Sequence, residues 1–124
     1  DITGFGLMGH LMSMVKASGV GANVRIGDVP ILPGVKDLLN QGAVPGGTYR
    51  NLSSVNNSID WDKSLTEEDR LLLCDAQTSG GLLISVRPGM LEELLSHLQA
   101  AGVSTTAVIG GIIRDSVGRI SVSA

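Results

Sequence analysis

Aromatic residues are nearly absent from this 124-residue chain: Phe5, Tyr49 and Trp61 are all it has. With 43% hydrophobic residues, the core must therefore be aliphatic, and a platform for stacking nucleic-acid bases is excluded. Clustered positive charge is lacking too. The net charge is −3 and no Lys/Arg run occurs, which speaks against nucleic acid or an anionic membrane as partner. A single cysteine, Cys74, permits neither an internal disulfide nor a thiolate metal cluster and fits a reducing compartment, the cytoplasm. Long apolar runs are missing as well. The most apolar stretch, Phe5 to Val15, is interrupted by Gly9, His10 and Ser13 and falls short of the roughly 20 residues of a membrane span.

What remains is a chain sized for one domain. A structured-looking motif follows Asp1 directly, without an initiator Met, so the sequence reads as an excised domain, residues 1–124. Thr3 is placed to cap a helix over residues 4–17, ended by Ser18-Gly19. Its apolar side chains cover most of the circumference, which predicts burial or cover by a second domain. Val24 and Ile26 alternate as a short strand, and a short helix runs from Val35 to Gln41. Residues 42–62, rich in Gly, Asn and Ser, lack periodicity and are expected to form a long functional loop. Ser64-Leu65-Thr66-Glu67 has the form of a capping box opening a helix to Cys74.

Leu82 to Val86 reads as an apolar strand. After Pro88-Gly89, the spacing of Leu91, Leu94, Leu95, Leu98 and Ala101 predicts a helix ended by Gly102. Thr105 to Ile113 is expected to be a strand with a bulge or bend at Gly110-Gly111, and residues 119–123 a last strand after a turn over 115–118. Interleaved helices and strands give an α/β (α+β) class, a mixed sheet flanked by helices.

Three glycine-rich segments carry the candidate chemistry: DITGFGLMGH from Asp1, PGGTYRNL from Pro45 and DAQTSGGL from Asp75. The first holds Gly4-x-Gly6-x-x-Gly9, formally a dinucleotide fingerprint, with Asp28 as the acidic partner. Only three residues precede the turn, too few for the strand that fingerprint needs. What survives is that bare amides at a glycine-rich helix start attract anions. Asp1 either favours the positive end of that helix or is a hard oxygen ligand for Mg²⁺. Gly46, Gly47, Thr48, Arg50 and Asn51 form either a plain turn or a phosphate clamp. Thr78, Ser79, Gly80 and Gly81 offer hydroxyls and unhindered amides, or simply separate a helix from a strand. Cys74, after three leucines, reads as core; His10 as a hydrogen-bonded interface residue; His97 as surface.

In order and spacing, DITGFGLMGHL, PGGTYRNL and DAQTSGGLLISV resemble the C-terminal domain of the selenophosphate synthetase family, within the superfamily of aminoimidazole ribonucleotide synthetase. Ala76 stands where that pattern commonly has Pro. The resemblance implies an enzyme that converts selenide, ATP and water to selenophosphate, AMP and orthophosphate. It implies an absent N-terminal ATP-binding domain, a homodimer, and Mg²⁺ held on aspartates, with Asp1 contributing. Thr3, Gly4, Gly6, Thr48, Arg50, Asn51, Thr78, Ser79, Gly80 and Gly81 then become candidates for a phosphate or substrate cleft. No catalytic residue is expected in this fragment, which alone should be inactive. Another ATP-dependent synthetase or kinase of the same superfamily, acting on a different phosphate acceptor, or a non-catalytic binding or assembly module docking through its first helix, are the competing readings.

Overall fold

Two positions of the first segment settle how the chain begins. The computed structural model describes residues 1–115 and 117–124. Helix α1 spans Gly6–Ser18, two residues later than Thr3 predicts, because the Thr3 hydroxyl turns to His10 and Phe5 at the N-cap gives no side-chain bond. Its end is as expected: Gly19 takes a left-handed conformation at φ 61°, and its amide closes the last turn. Leu7, Met8, Leu11, Met12 and Val15 make one buried stripe, while Ser13, Lys16 and Ala17 face outward. The helix is thus covered on one side, not all round.

Strand β1 (Gly21–Arg25) begins three residues before the alternation of Val24 and Ile26 suggests. Its opening residues are small because a β-carbon on Gly21 would press on the Arg119 carbonyl and the side chains of Asp115 and Ile113. Helix α2 (Val35–Asn40) matches expectation. The expected loop over 42–62 does not exist as such: it contains helix α3 (Gly46–Val55) and strand β2 (Ile59–Trp61). The buried residues of α3 are Thr48, Asn51 and Val55, a helical period written mostly in polar side chains.

Helix α4 (Glu67–Leu73) opens on a capping box of Thr66 and Asp69, not Ser64 and Glu67. Ser64 instead donates both its amide and its hydroxyl to Asp62. Those bonds, the side-chain one foremost, hold the Asp62 carboxyl below its ordinary range. Residues Leu82–Val86 are no strand, since their backbone finds no ladder partner among the described residues. Helix α5 (Leu91–Ala100) follows, with Gly102 at φ 81° just beyond its end.

Strand β3 (Gly110–Ile113) is shorter than the predicted 105–113 and unbulged, pairing residue for residue with β1. Gly110 is required there because any β-carbon would strike the Asn23 carbonyl. Strand β4 (Ile120–Ser123) agrees with expectation; of the turn over 115–118, Ser116 lies outside the described residues.

The sheet has the order β2-β4-β1-β3, with β1–β4 and β2–β4 parallel and β1–β3 antiparallel. It is therefore the mixed sheet of an α/β chain. Ile120 and Val122 of β4, Ala22 and Val24 of β1, and Met8 and Val15 of α1 form the aliphatic core. The stretch from Leu82 to Ile113 is less covered: α5 buries no residue, and Leu82, Ile84, Ile112 and Ile113 remain exposed.

Candidate phosphate-facing surface

The three glycine-rich segments, far apart in sequence, meet. The Ile2 amide donates to the Gly81 carbonyl at 2.9 Å, and the Gly80 amide donates back to the Ile2 carbonyl at 3.0 Å. One residue on, the Thr3 carbonyl accepts from the Gln77 amide at 3.2 Å and from Gly6 at 3.0 Å. Residues 1–3 are thus strapped along the 77–81 loop, and the exposed Asp1 stands at its edge.

Helix α3 joins the other two. Asn51 Nδ2 donates to the Gly4 carbonyl at 2.8 Å and to the Cys74 carbonyl at 3.1 Å. Thr48 Oγ1 accepts from the Ala76 amide at 3.0 Å and donates to Asp75 Oδ1 at 3.3 Å. Both side chains are buried, Thr48 at 1% exposure and Asn51 at 9%. Thr48 Oγ1 and Asn51 Nδ2 are thus engaged with the frame, and both residues hold the surface together. Gly6 is likewise frame: it has φ 71°, and a β-carbon there would lie 2.7 Å from the Cys74 carbonyl.

The remaining candidates face outward. Arg50 is exposed, and its guanidinium folds back over the start of α3, 3.7 Å from where a Gly46 β-carbon would be. Thr78 and Ser79 are exposed, with hydroxyls that bond no protein atom among the described residues. Gly4 and Gly81 have open space where a β-carbon would sit, and neither has a positive φ. An anion could therefore approach bare backbone at both places. Phe5 beside Gly4 is 69% exposed.

One residue of this surface escapes a sequence reading: Asp75 is fixed by Thr48, and its only signal is its place at the head of DAQTSGG. His10 is hydrogen-bonded, as expected, and its partner is Thr3: Nε2 lies 3.1 Å from the amide and 3.0 Å from the hydroxyl. Cys74, by contrast, is sealed in the core, and burial pushes its thiol up to about 12. It is no nucleophile. His97 is exposed on α5.

The surface is an open ledge. Two clefts each take in part of a glycine-rich segment: one of about 330 Å³ is lined by Leu39, Tyr49, Glu67, Glu68 and Leu71, another of about 290 Å³ by Phe5, Met12, Lys16 and Val55. No helix is long and apolar enough to cross a membrane among the described residues.

The chain is 41% identical over 122 residues to a selenide, water dikinase of Pelobacter propionicus, covering 98% of this chain and 35% of that protein. It is 43% identical over 120 residues to the one of Photorhabdus laumondii, with 97% and 33% covered. It is also 43% identical over 122 residues to that of Salmonella typhi, with 98% and 34% covered. The chain spans about a third of the length of these curated relatives. Residues 1–123 match the AIR synthase related protein, C-terminal domain, and the chain belongs to that family.

Proposed function

We propose that this chain is the C-terminal domain of a selenide, water dikinase, the enzyme name its relatives carry. On that reading the parent enzyme makes selenophosphate, AMP and orthophosphate from selenide, ATP and water. Its partners are an N-terminal ATP-binding domain of the same polypeptide and a second copy of the whole enzyme, in the cytoplasm. The 124 residues alone do no chemistry.

The observation that carries this reading is the convergence of the three glycine-rich segments on one exposed ledge, with Asp1 at its edge. Phosphoryl transfer asks the protein mainly to position groups and to neutralise charge. The outward donors suit that task. Arg50 presents a planar fork to phosphate oxygens beside the positive start of α3. Thr78 and Ser79 add hydroxyl donors, and Gly4 and Gly81 leave room for an anion to reach the backbone.

Asp1 fits Mg²⁺ as one ligand of several. It is an exposed hard oxygen donor and forms no ion pair among the described residues. The described residues hold no group of three or more His, Cys, Asp or Glu that could bind a metal alone. The other ligands would thus come from phosphates, water and the remainder of the enzyme. When bound, the metal would supply charge neutralisation at the phosphates; Asp1 would be one of its ligands, and Arg50 and the loop donors would bind phosphate oxygens.

The test is made in the full-length enzyme. Arg50→Ala should reduce selenophosphate formation by about 10- to 100-fold, the worth of a charged hydrogen bond. Asp1→Asn should raise the Mg²⁺ concentration needed for half-maximal rate. Variants within about twofold of the parent on both measures would remove the ledge from the reaction.

A further inference from the structure

We infer that His10 is a positioning residue, one of the ties that reference Asp1 to the rigid part of the molecule. Residues 1–3 are held by a handful of bonds. Ile2 packs in the core at 5% exposure, and the Gly6 amide at the start of α1 donates to the Thr3 carbonyl. The bonds with Gly80, Gly81 and Gln77 are all backbone bonds to one loop. That loop would itself have to respond to a bound anion. The bond from Thr3 to His10 differs, because His10 stands on α1, between the buried Leu7 and Leu11 that fix the helix in the core. It is the strap's side-chain hydrogen bond to a packed helix.

The geometry also sets the ring's protonation pattern. A backbone N–H can only donate, so the 3.1 Å bond from the Thr3 amide needs a lone pair on Nε2. That bond is made by the tautomer with its proton on Nδ1, and the Thr3 hydroxyl lies 3.0 Å from the same nitrogen. The Phe5 ring meets the imidazole edge-on, with centroids 5.8 Å apart at 71°. Two residues upstream, Asp1 inherits the placement of Thr3. Small misplacements of a positioning group are costly when catalysis depends on orientation.

This inference rests on the reading of Asp1 as a Mg²⁺ ligand, and its test separates the two. In the full-length enzyme, His10→Leu removes the acceptor while keeping bulk, and His10→Gln keeps an oxygen acceptor at similar reach. Hydrogen exchange at the Thr3 amide should speed up by about tenfold in His10→Leu, the worth of one hydrogen bond, and return in His10→Gln. The Mg²⁺ concentration for half-maximal rate should rise by about fivefold in the Leu variant and be restored in the Gln variant. A nitrogen-15 spectrum of the unmodified enzyme should show Nε2 unprotonated. Should His10→Leu not fold, the spectrum and the Gln variant still decide. A protonated Nε2, unchanged Thr3 exchange, or a Gln variant as impaired as the Leu variant overturns the role of His10. If Asp1→Asn leaves the Mg²⁺ requirement unmoved, the metal reading falls, while the Thr3 exchange still judges the tie.

Discussion

Gly4, Gly6, Gly80 and Gly81 divide by what a β-carbon would meet. At Gly6 it would lie 2.7 Å from the Cys74 carbonyl on a backbone already at φ 71°, and at Gly80 it would strike the Ile2 carbonyl and the Gln77 side chain. At Gly4 and Gly81 it would meet nothing within 4 Å. Glycine costs conformational entropy on folding, so packing leaves these last two unexplained. Gly6→Ala and Gly80→Ala should each destabilise by more than about 1 kcal/mol through clash or strain. Gly4→Ala and Gly81→Ala should leave stability unchanged or raise it by about 0.4–1 kcal/mol. If their bareness serves an incoming phosphate, the same two variants should lower the rate of the full-length enzyme. Thermal unfolding read beside turnover separates the pairs. Full activity in Gly81→Ala would mean that no ligand approaches the chain there.

Helices α3 and α4 show what a sequence does and does not disclose about an element. Around α4 two overlapping patterns compete, Ser64 with Glu67 and Thr66 with Asp69, and the second wins. Choosing it leaves Leu65 just outside the helix and buried, and frees Ser64 to close a turn on Asp62. Thr66→Ala removes the acceptor for the Asp69 amide and frees the Asp69 carboxylate from its hydroxyl partner. It should cost about 1 kcal/mol, read as a lower urea midpoint at unchanged slope, whereas Ser64→Ala should shift that midpoint less.

Helix α3 was illegible for a different reason. Gly46, Gly47, Ser53 and Ser54 are poor helix formers, and its inward stripe is Thr48, Asn51 and Val55. A search for apolar periodicity passes over such a helix, because hydrogen bonds to Gly4, Cys74 and Ala76 replace most of the apolar burial that would announce it. Residues 82–86 err in the opposite direction. Their apolar run announces a strand, yet a strand exists only where a neighbouring ladder accepts it. The helices α1, α2 and α5 and strand β4 were legible because capping glycines or clean alternation mark them locally. Of the ledge, the glycine segments were visible as motifs. That Thr48 and Asn51 point inward while Arg50 points outward is a fact of packing, which no spacing in the sequence states.

At the scale of the whole molecule, one buried atom reports whether these parts close together. Cys74 ends α4, its carbonyl receives Asn51 of α3, and its backbone limits Gly6 at the start of α1. It is fully buried, and desolvation alone lifts its thiol to about 12 from 9.0. A thiol is neutral when protonated, so the folded chain keeps its proton after the unfolded chain has lost it. Below pH 9.0 both states hold the proton, and the group contributes no pH dependence. From there to about 12 the unfolded state binds fewer protons, and stability falls as pH rises. The limiting slope is about 1.4 kcal/mol per pH unit. Cys74→Ala carries the cost of a small cavity at every pH but lacks this slope. Urea midpoints of the two proteins should therefore converge as the solution is taken above pH 9.0. Parallel curves would mean that water already reaches the thiol in the native state. The junction of α1, α3 and α4 would then be open, and with it the frame that brings the three glycine segments onto one face.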